Sequence, residues 1–349
     1  MATGRALRRE LTLPAATALV VGQVIAVGIF LTPGSMIRTL ASPLWVLIVW
    51  AIIGGMAICG ALCYGALAAR YPQAGGGYVY LREAYGPRLA FLNGWKCFLI
   101  MDPGITAALA TGLASYIGYI VPLGNAAQRI VGIGAIVALA LVHMAGVRPG
   151  TRLLTTLAFI YVIPIDQVGA GEAFVAQVGT VLLGRTGGVT VAAIVVVCVL
   201  GSLAVVLMFG PRVYFAMARD GLFPAAAASV HPRFGTPARA IAAQAILASV
   251  LVALGTFDTI VAYFIFITVA FIALTVAAVF VLARRDPSFE VPGYPWTAVT
   301  FLALVAALLA LLALNNPLQA ILGVVLVALG VPVYAFTRPT VAVPTEVSP

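Results

Sequence analysis

Long uncharged apolar stretches constrain this chain more than any other feature. Residues 43–69 pass without a single Asp, Glu, Lys or Arg, and so do residues 188–210. A run of about 18 apolar residues or more is long enough to cross the hydrocarbon core of a bilayer as a helix. Ten such segments can be marked, at about 12–33, 43–69, 89–121, 128–147, 153–165, 188–210, 238–255, 259–283, 297–314 and 317–337. The whole 349-residue chain is 63% hydrophobic and only 8% charged, whereas a soluble domain carries about 25% charged residues. The expected fold is an all-α polytopic membrane protein.

In this setting the net charge of +9 speaks of membrane orientation, and nucleic acid is not an expected partner. Arginine outnumbers lysine 18 to 1, a codon usage expected of a G+C-rich bacterial genome. With ten crossings and a cytoplasmic start, the inner segments hold fifteen arginines, among them Arg5, Arg8, Arg9, Arg70, Arg82, Arg148, Arg212, Arg219, Arg285 and Arg338. The outer ones hold Arg38, Arg129 and Arg185. That asymmetry follows the positive-inside rule and predicts a multi-pass protein of the cytoplasmic membrane with both termini inside. The apolar run after Arg9 is too long for a signal peptide and lacks a small-residue cleavage site, so it reads as a retained first span. Segment 153–165 reaches only about 20 Å, short of the ~30 Å core. Residues 168–184 place Phe174, Val175, Val178, Val181 and Leu182 at helical spacing, as an external amphipathic helix or a cap on a vestibule would. The four cysteines, Cys59, Cys63, Cys97 and Cys198, sit in apolar runs without metal-ligand spacing, and read as small core residues.

A few residues break the apolar pattern. Gly28 lies inside the first segment, with Pro33 and Gly34 shortly after it. It serves either close helix packing or a local break, which at membrane depth persists only beside a cavity and whose freed amides can hold an anion. Gly75-Gly76-Gly77 could cradle a phosphate, but no P-loop lysine follows, and a tight turn under the bundle suits it better. Lys96 and Asp102 are the charges within spans. At six residues apart they do not share a helix face. Lys96 is expected to snorkel to the surface. Asp102 is either a proton-coupling carboxylate or a hydrogen-bonded structural group. Ser202 either faces a cation site or bonds its own helix backbone.

The loops are more specific. Pro72 to Tyr80, Arg212 to Pro237 with Ala218-Arg219-Asp220-Gly221, and Phe289 to Pro295, together with Gly28-Ile29-Phe30, resemble, in order, the bacterial amino acid permeases of the amino acid–polyamine–organocation superfamily. The resemblance implies an inverted-repeat transporter with a discontinuous first helix. Residues 1–152 then resemble the first repeat, 153–283 a shortened second repeat, and 297–337 two C-terminal spans. The amides of Ala26, Val27, Gly28 and Ile29 would receive a substrate carboxylate, and the carbonyls of Val24 and Ile25 its ammonium. The family pattern usually has two glycines around a small residue; here Ala26 and Val27 stand instead, which narrows the pocket. The family has twelve spans, and the sixth with parts of the fifth and seventh has no counterpart here, which leaves ten. The implied activity is transport of amino acids or related amines by proton symport or exchange. Two alternatives remain: a deletion form impaired in transport, and a membrane sensor or binding protein on the same scaffold. No catalytic triad, nucleotide motif or metal cluster is present in the sequence, so neither enzyme activity nor a cofactor is expected. The lipid bilayer is the one structural partner implied, and the sequence sets no oligomeric state.

Overall fold

The computed structural model describes residues 17, 28, 30, 33, 36, 39–73, 75–145, 173–231 and 234–337. Among them the chain is helical throughout, with no strand. The helices are α1 (Pro43–Arg70), α2 (Gly77–Tyr85), α3 (Pro87–Lys96), α4 (Asp102–Ile120), α5 (Asn125–Met144), α6 (Phe174–Arg219), α7 (Ala238–Leu254), α8 (Phe257–Arg285), α9 (Trp296–Asn315), α10 (Pro317–Ala328) and α11 (Gly330–Thr337). A single π turn, Cys97–Met101, joins α3 to α4 into one long span. Proline stands at the start of α1, α3 and α10, where its missing N–H is no loss and its fixed φ suits the first turn. Eight of the ten expected segments coincide with these helices. Segment 153–165 lies outside the described residues, and so does most of segment 12–33.

The α3–α4 span and α6 form the centre. About 72% of the most apolar stretch of each is buried, against 11% for α1. Small residues let α4 take this place: Ala107, Ala108, Ala110 and Gly104 bring its backbone close to its neighbours, as membrane helix interfaces require. A Cβ on Gly104 would lie 2.6 Å from the Phe264 ring of α8, so only glycine fits there. Around this centre pack α5, α7 and α8, with α1 and α9 laid against α8. Leu44, Trp45, Leu47 and Ile53 of α1 and Leu314 and Leu318 near the α9–α10 turn face outward. In a bilayer such a surface is the natural one.

α6 is two helices in sequence. Gly184 adopts φ 71°, ψ −174°, and the chain reverses there. The short arm before it lies against the start of the long arm through glycines: a Cβ on Gly187 would meet the Gly179 carbonyl at 2.6 Å. Tyr119 at the end of α4 shares a 2.5 Å hydrogen bond with Thr180 of this arm. The amphipathic stretch at 174–183 therefore covers the end of α4, with Ala176 and Val178 buried and Val181, Leu182 and Leu183 exposed.

At the opposite end the arginine-rich loops meet. Arg70 pairs with Asp286 at 2.7 Å. Asp220 takes Arg82 at 2.5 Å and the Tyr78 hydroxyl at 2.6 Å. Arg285 donates to the Glu83 carbonyl at 2.9 Å. The ends of α1, α6 and α8 and the whole of α2 thus lie on one side, as the charge asymmetry requires. Burial and the Asp220 hydrogen bond both hold the Tyr78 phenol above its ordinary range. The hydroxyl and amide of Ser288, then Arg70, hold Asp286 below the usual carboxylate range.

Candidate functional site

Of the residues expected to receive a substrate, Gly28 is described and Val24, Ile25, Ala26, Val27 and Ile29 lie outside the described residues. Gly28 is itself helical and half-buried, so no break falls at this residue. A Cβ placed on it would meet nothing within 4 Å among the described residues. Two residues on, the Phe30 carbonyl accepts a 3.0 Å hydrogen bond from Tyr116 of α4, and Phe30 packs on the central core. Trp50 of α1 reaches Met36 at 3.3 Å. Phe30 is thereby tied to α4, and Met36 to α1.

Asp102 opens α4 directly after the π turn and is 4% exposed. Its Oδ2 accepts a 2.5 Å hydrogen bond from the Tyr214 hydroxyl of α6. The Thr106 hydroxyl donates to the Asp102 carbonyl at 2.6 Å, and Gln244 of α7 donates to the Thr106 oxygen at 3.0 Å. The Gln244 Oε1 has no hydrogen-bond partner. A Cβ on Gly210 would stand 2.6 Å from that Oε1 and 2.9 Å from Asp102 Oδ2. Two acceptor oxygens, one carboxylate and one amide, therefore border the space that glycine leaves. A proton or a small cation between such oxygens is stabilised, because each lone pair otherwise lacks a donor in a medium of low dielectric. Ser202 is fully buried in α6 but lies eight residues before Gly210, about 12 Å along the helix, and is not part of this cluster.

Lys96 departs from expectation. It does not snorkel: it is 3% exposed, with Nζ 3.3 Å from Met101 Sδ and 5.4 Å from the centre of the Phe271 ring. The π turn between it and Asp102 keeps the two charges apart, and no ion pair joins them. Tyr214, Gln244 and Gly210 were not singled out in the sequence. Gln244 is the one signal that could have been read, a lone amide in the apolar run 238–255.

A family model described as amino acid permease matches residues 11–154 and 149–336. This chain belongs to the amino acid permease family. The permease is 23% identical over 422 aligned positions to the serine/threonine exchanger SteT of Bacillus subtilis (strain 168), covering 94% of this chain and 96% of that protein. It is 31% identical over 185 residues to the human large neutral amino acids transporter small subunit 2, covering 49% of this chain and 34% of the relative. It is 31% identical over 154 residues to the human Asc-type amino acid transporter 1, covering 42% and 29%. The permease thus spans nearly the whole of its bacterial relative and about a third of these two human ones. These relatives are transporters by name, in keeping with a non-enzymatic, membrane-embedded chain.

Proposed function

We propose that the permease carries amino acids, or related amines, across the cytoplasmic membrane, by exchange or by proton symport. The names of its relatives support the substrate class, and that of SteT favours exchange. The observation that carries the reading is the setting of Gly28: no described residue lies within 4 Å of a Cβ placed there, while Phe30 is bonded to Tyr116 of α4. In this reading the amides of Ala26 to Ile29 take the substrate carboxylate, as the resemblance to the inverted-repeat transporters implies. The carbonyls of Val24 and Ile25 take its ammonium. Asp102, with the orphaned Gln244 oxygen beside it, is the coupling carboxylate. Ser202 is assigned to a separate cation position facing the first segment. Both termini and the arginine-rich end lie in the cytoplasm.

A second reading has its own support. The two blocks matched by the family model meet at residues 149–154; in this reading the sixth span, with parts of the fifth and seventh, is missing there. The 422 positions aligned with SteT exceed the 349 residues of this chain, an excess long enough for two spans and their loops. A pocket that lacks its opposite wall makes fewer hydrogen bonds to a zwitterion, at roughly 1.5–3 kcal/mol for each bond to a charged group. Two lost bonds weaken binding by two or more orders of magnitude. Transport by the single chain is then slow unless a second copy supplies the wall.

One experiment separates these readings. Radiolabelled serine, threonine and leucine are offered to proteoliposomes holding the 349-residue chain, under counterflow and under a proton gradient, beside a Gly28→Val variant. Saturable uptake by the parent, lost in the variant at equal membrane yield, is expected of a working exchanger. Substrate binding without flux belongs to the second reading. Equal uptake by parent and variant removes Gly28 from the site.

A further inference from the structure

Between α1, α2, α3, α6 and α8 lies a cavity of about 590 Å³, bordered by Lys96, Arg212, Asn93 and the Gly75–Gly77 turn. Gly28, Asp102, Tyr214 and Gln244 are not among its lining residues, although Cys97 and Met101 of its wall lead up to Asp102. Lys96 sits about 14 Å along the helix from Pro87, and Arg212 about 10 Å before Arg219.

Three independent features of this cavity favour negative charge. The first is a pair of cations that make no ion pair. Lys96 is 3% exposed; its ammonium lies against the Met101 sulfur, the Cys97 side chain and the Phe271 ring, and it feels the Asp102 carboxylate without pairing with it. Arg212 lies over the Phe209 ring at 5.0 Å. Neither makes an ion pair among the described residues, and no Asp or Glu borders the cavity. Desolvating a cation without an anion is expensive, and an aromatic face offsets only about 0.5–2 kcal/mol of that. The second feature is the start of α2. Gly75 and Gly76 take φ of 133° and 52°, a turn that presents the positive end of a nine-residue helix. The amides of Tyr78 and Val79 are used, by the Gly75 and Gly76 carbonyls. Those of Gly76 and Gly77 have no such bond to a described residue, and a helix N-terminus attracts an anion through just these groups. The third is Asn93, 5% exposed, whose side-chain amide has no hydrogen-bond partner among the described residues. Its Nδ2 lies beside Gly77, within 3.7 Å of where a Cβ would stand. The remaining wall is apolar and aromatic.

We propose that this cavity is a binding site for a small organic anion: an oxyanion head, carboxylate or phosphate, held by Lys96, Arg212, the Gly76–Gly77 amides and Asn93, with an apolar body against the aromatic wall. A net-neutral amino acid does not suit it, since its ammonium would face two cations and no carboxylate. The site is therefore distinct in ligand charge from the amino acid site and does not rest on the assignment of Gly28. The head group can arrive on a soluble carboxylate from the cytoplasmic side or on an anionic phospholipid.

The test uses the full chain in nanodiscs of phosphatidylcholine, titrated with glutarate and, separately, with alanine, and a second set of discs containing phosphatidylglycerol. Thermal stabilisation and calorimetric binding are read. Glutarate is expected to bind and alanine not to displace it. Lys96→Gln and Arg212→Gln should each weaken binding at least tenfold, Lys96→Arg should retain most of it, and Gly54→Ala, at an exposed site on α1, should leave it unchanged. If phosphatidylglycerol stabilises the parent but not the two glutamine variants, and glutarate gives nothing, the head group is a lipid's. If neither anion acts, or if the glutamine variants respond as the parent does while Lys96→Arg confirms an intact fold, the cavity is not an anion site.

Discussion

At the residue scale, glycines in the same apolar context serve opposite ends. Gly54 in α1 has nothing within 4 Å of a Cβ position, whereas Gly210 in α6 faces Gln244 Oε1 at 2.6 Å and Asp102 Oδ2 at 2.9 Å. Gly54→Ala is expected to leave the melting temperature unchanged or raise it, because alanine is favoured in a helix by about 1 kcal/mol. Gly210→Ala is expected to lower it by the equivalent of about 1–3 kcal/mol, as overpacking does. Thermal unfolding of both variants in the same detergent checks the contrast; equal effects would mean the Asp102 cluster yields freely. Asp102 could be found from the sequence because a carboxylate inside an apolar run is conspicuous. Its partners could not. Tyr214 and Gln244 lie 112 and 142 positions further along, and only folding brings them to it. Lys96 was found but misplaced, since the rule that long cations reach for water ignores a cavity lined with aromatic rings.

At the scale of elements, α2 is held by side chains buried along its length, and Tyr78 adds a polar tie. Tyr78 is fully buried, and its hydroxyl depends on Asp220. Asp220→Ala strands that hydroxyl and is expected to destabilise by about 1–3 kcal/mol. Asp220→Asn keeps an acceptor oxygen and should cost less. Arg82→Gln removes only a half-exposed ion pair, worth about 1 kcal/mol or less. Melting temperatures of the three variants should fall in that order. An Arg82 effect as large as that of Asp220→Ala would show that charge, not the buried phenol, holds the loop. The Ala218-Arg219-Asp220-Gly221 stretch was legible as a family mark, but its physical task emerges only when α2 is packed beneath α6. The helices themselves were legible almost throughout, because apolar length is a local property. The reversal at Gly184 was foreseen only as the end of an amphipathic stretch.

At the scale of the molecule, the arginine-rich loops converge on one end and Arg185 lies at the other. Single cysteines at Arg219 and Arg185, in a chain freed of its four native cysteines, are expected to differ toward an impermeant maleimide on intact cells: Arg185 labelled, Arg219 protected. The reverse pattern would invert the orientation. Family membership was legible from the loops, while the site on the first segment was legible only by likeness, since its amides carry no side-chain signature. The lengths of the helices carry one more consequence. α7 has 17 residues, about 26 Å, whereas the arm of α6 after Gly184 runs on for about 52 Å. A hydrocarbon core of ~30 Å is too thick for the one and too thin for the other. Ile246, Val250 and Leu254 present α7 outward, so the lipid beside it must thin by a few Å, at a fraction of a kcal/mol for each. The protein thereby gauges the thickness of its membrane, and short-chain lipids should gather along that flank.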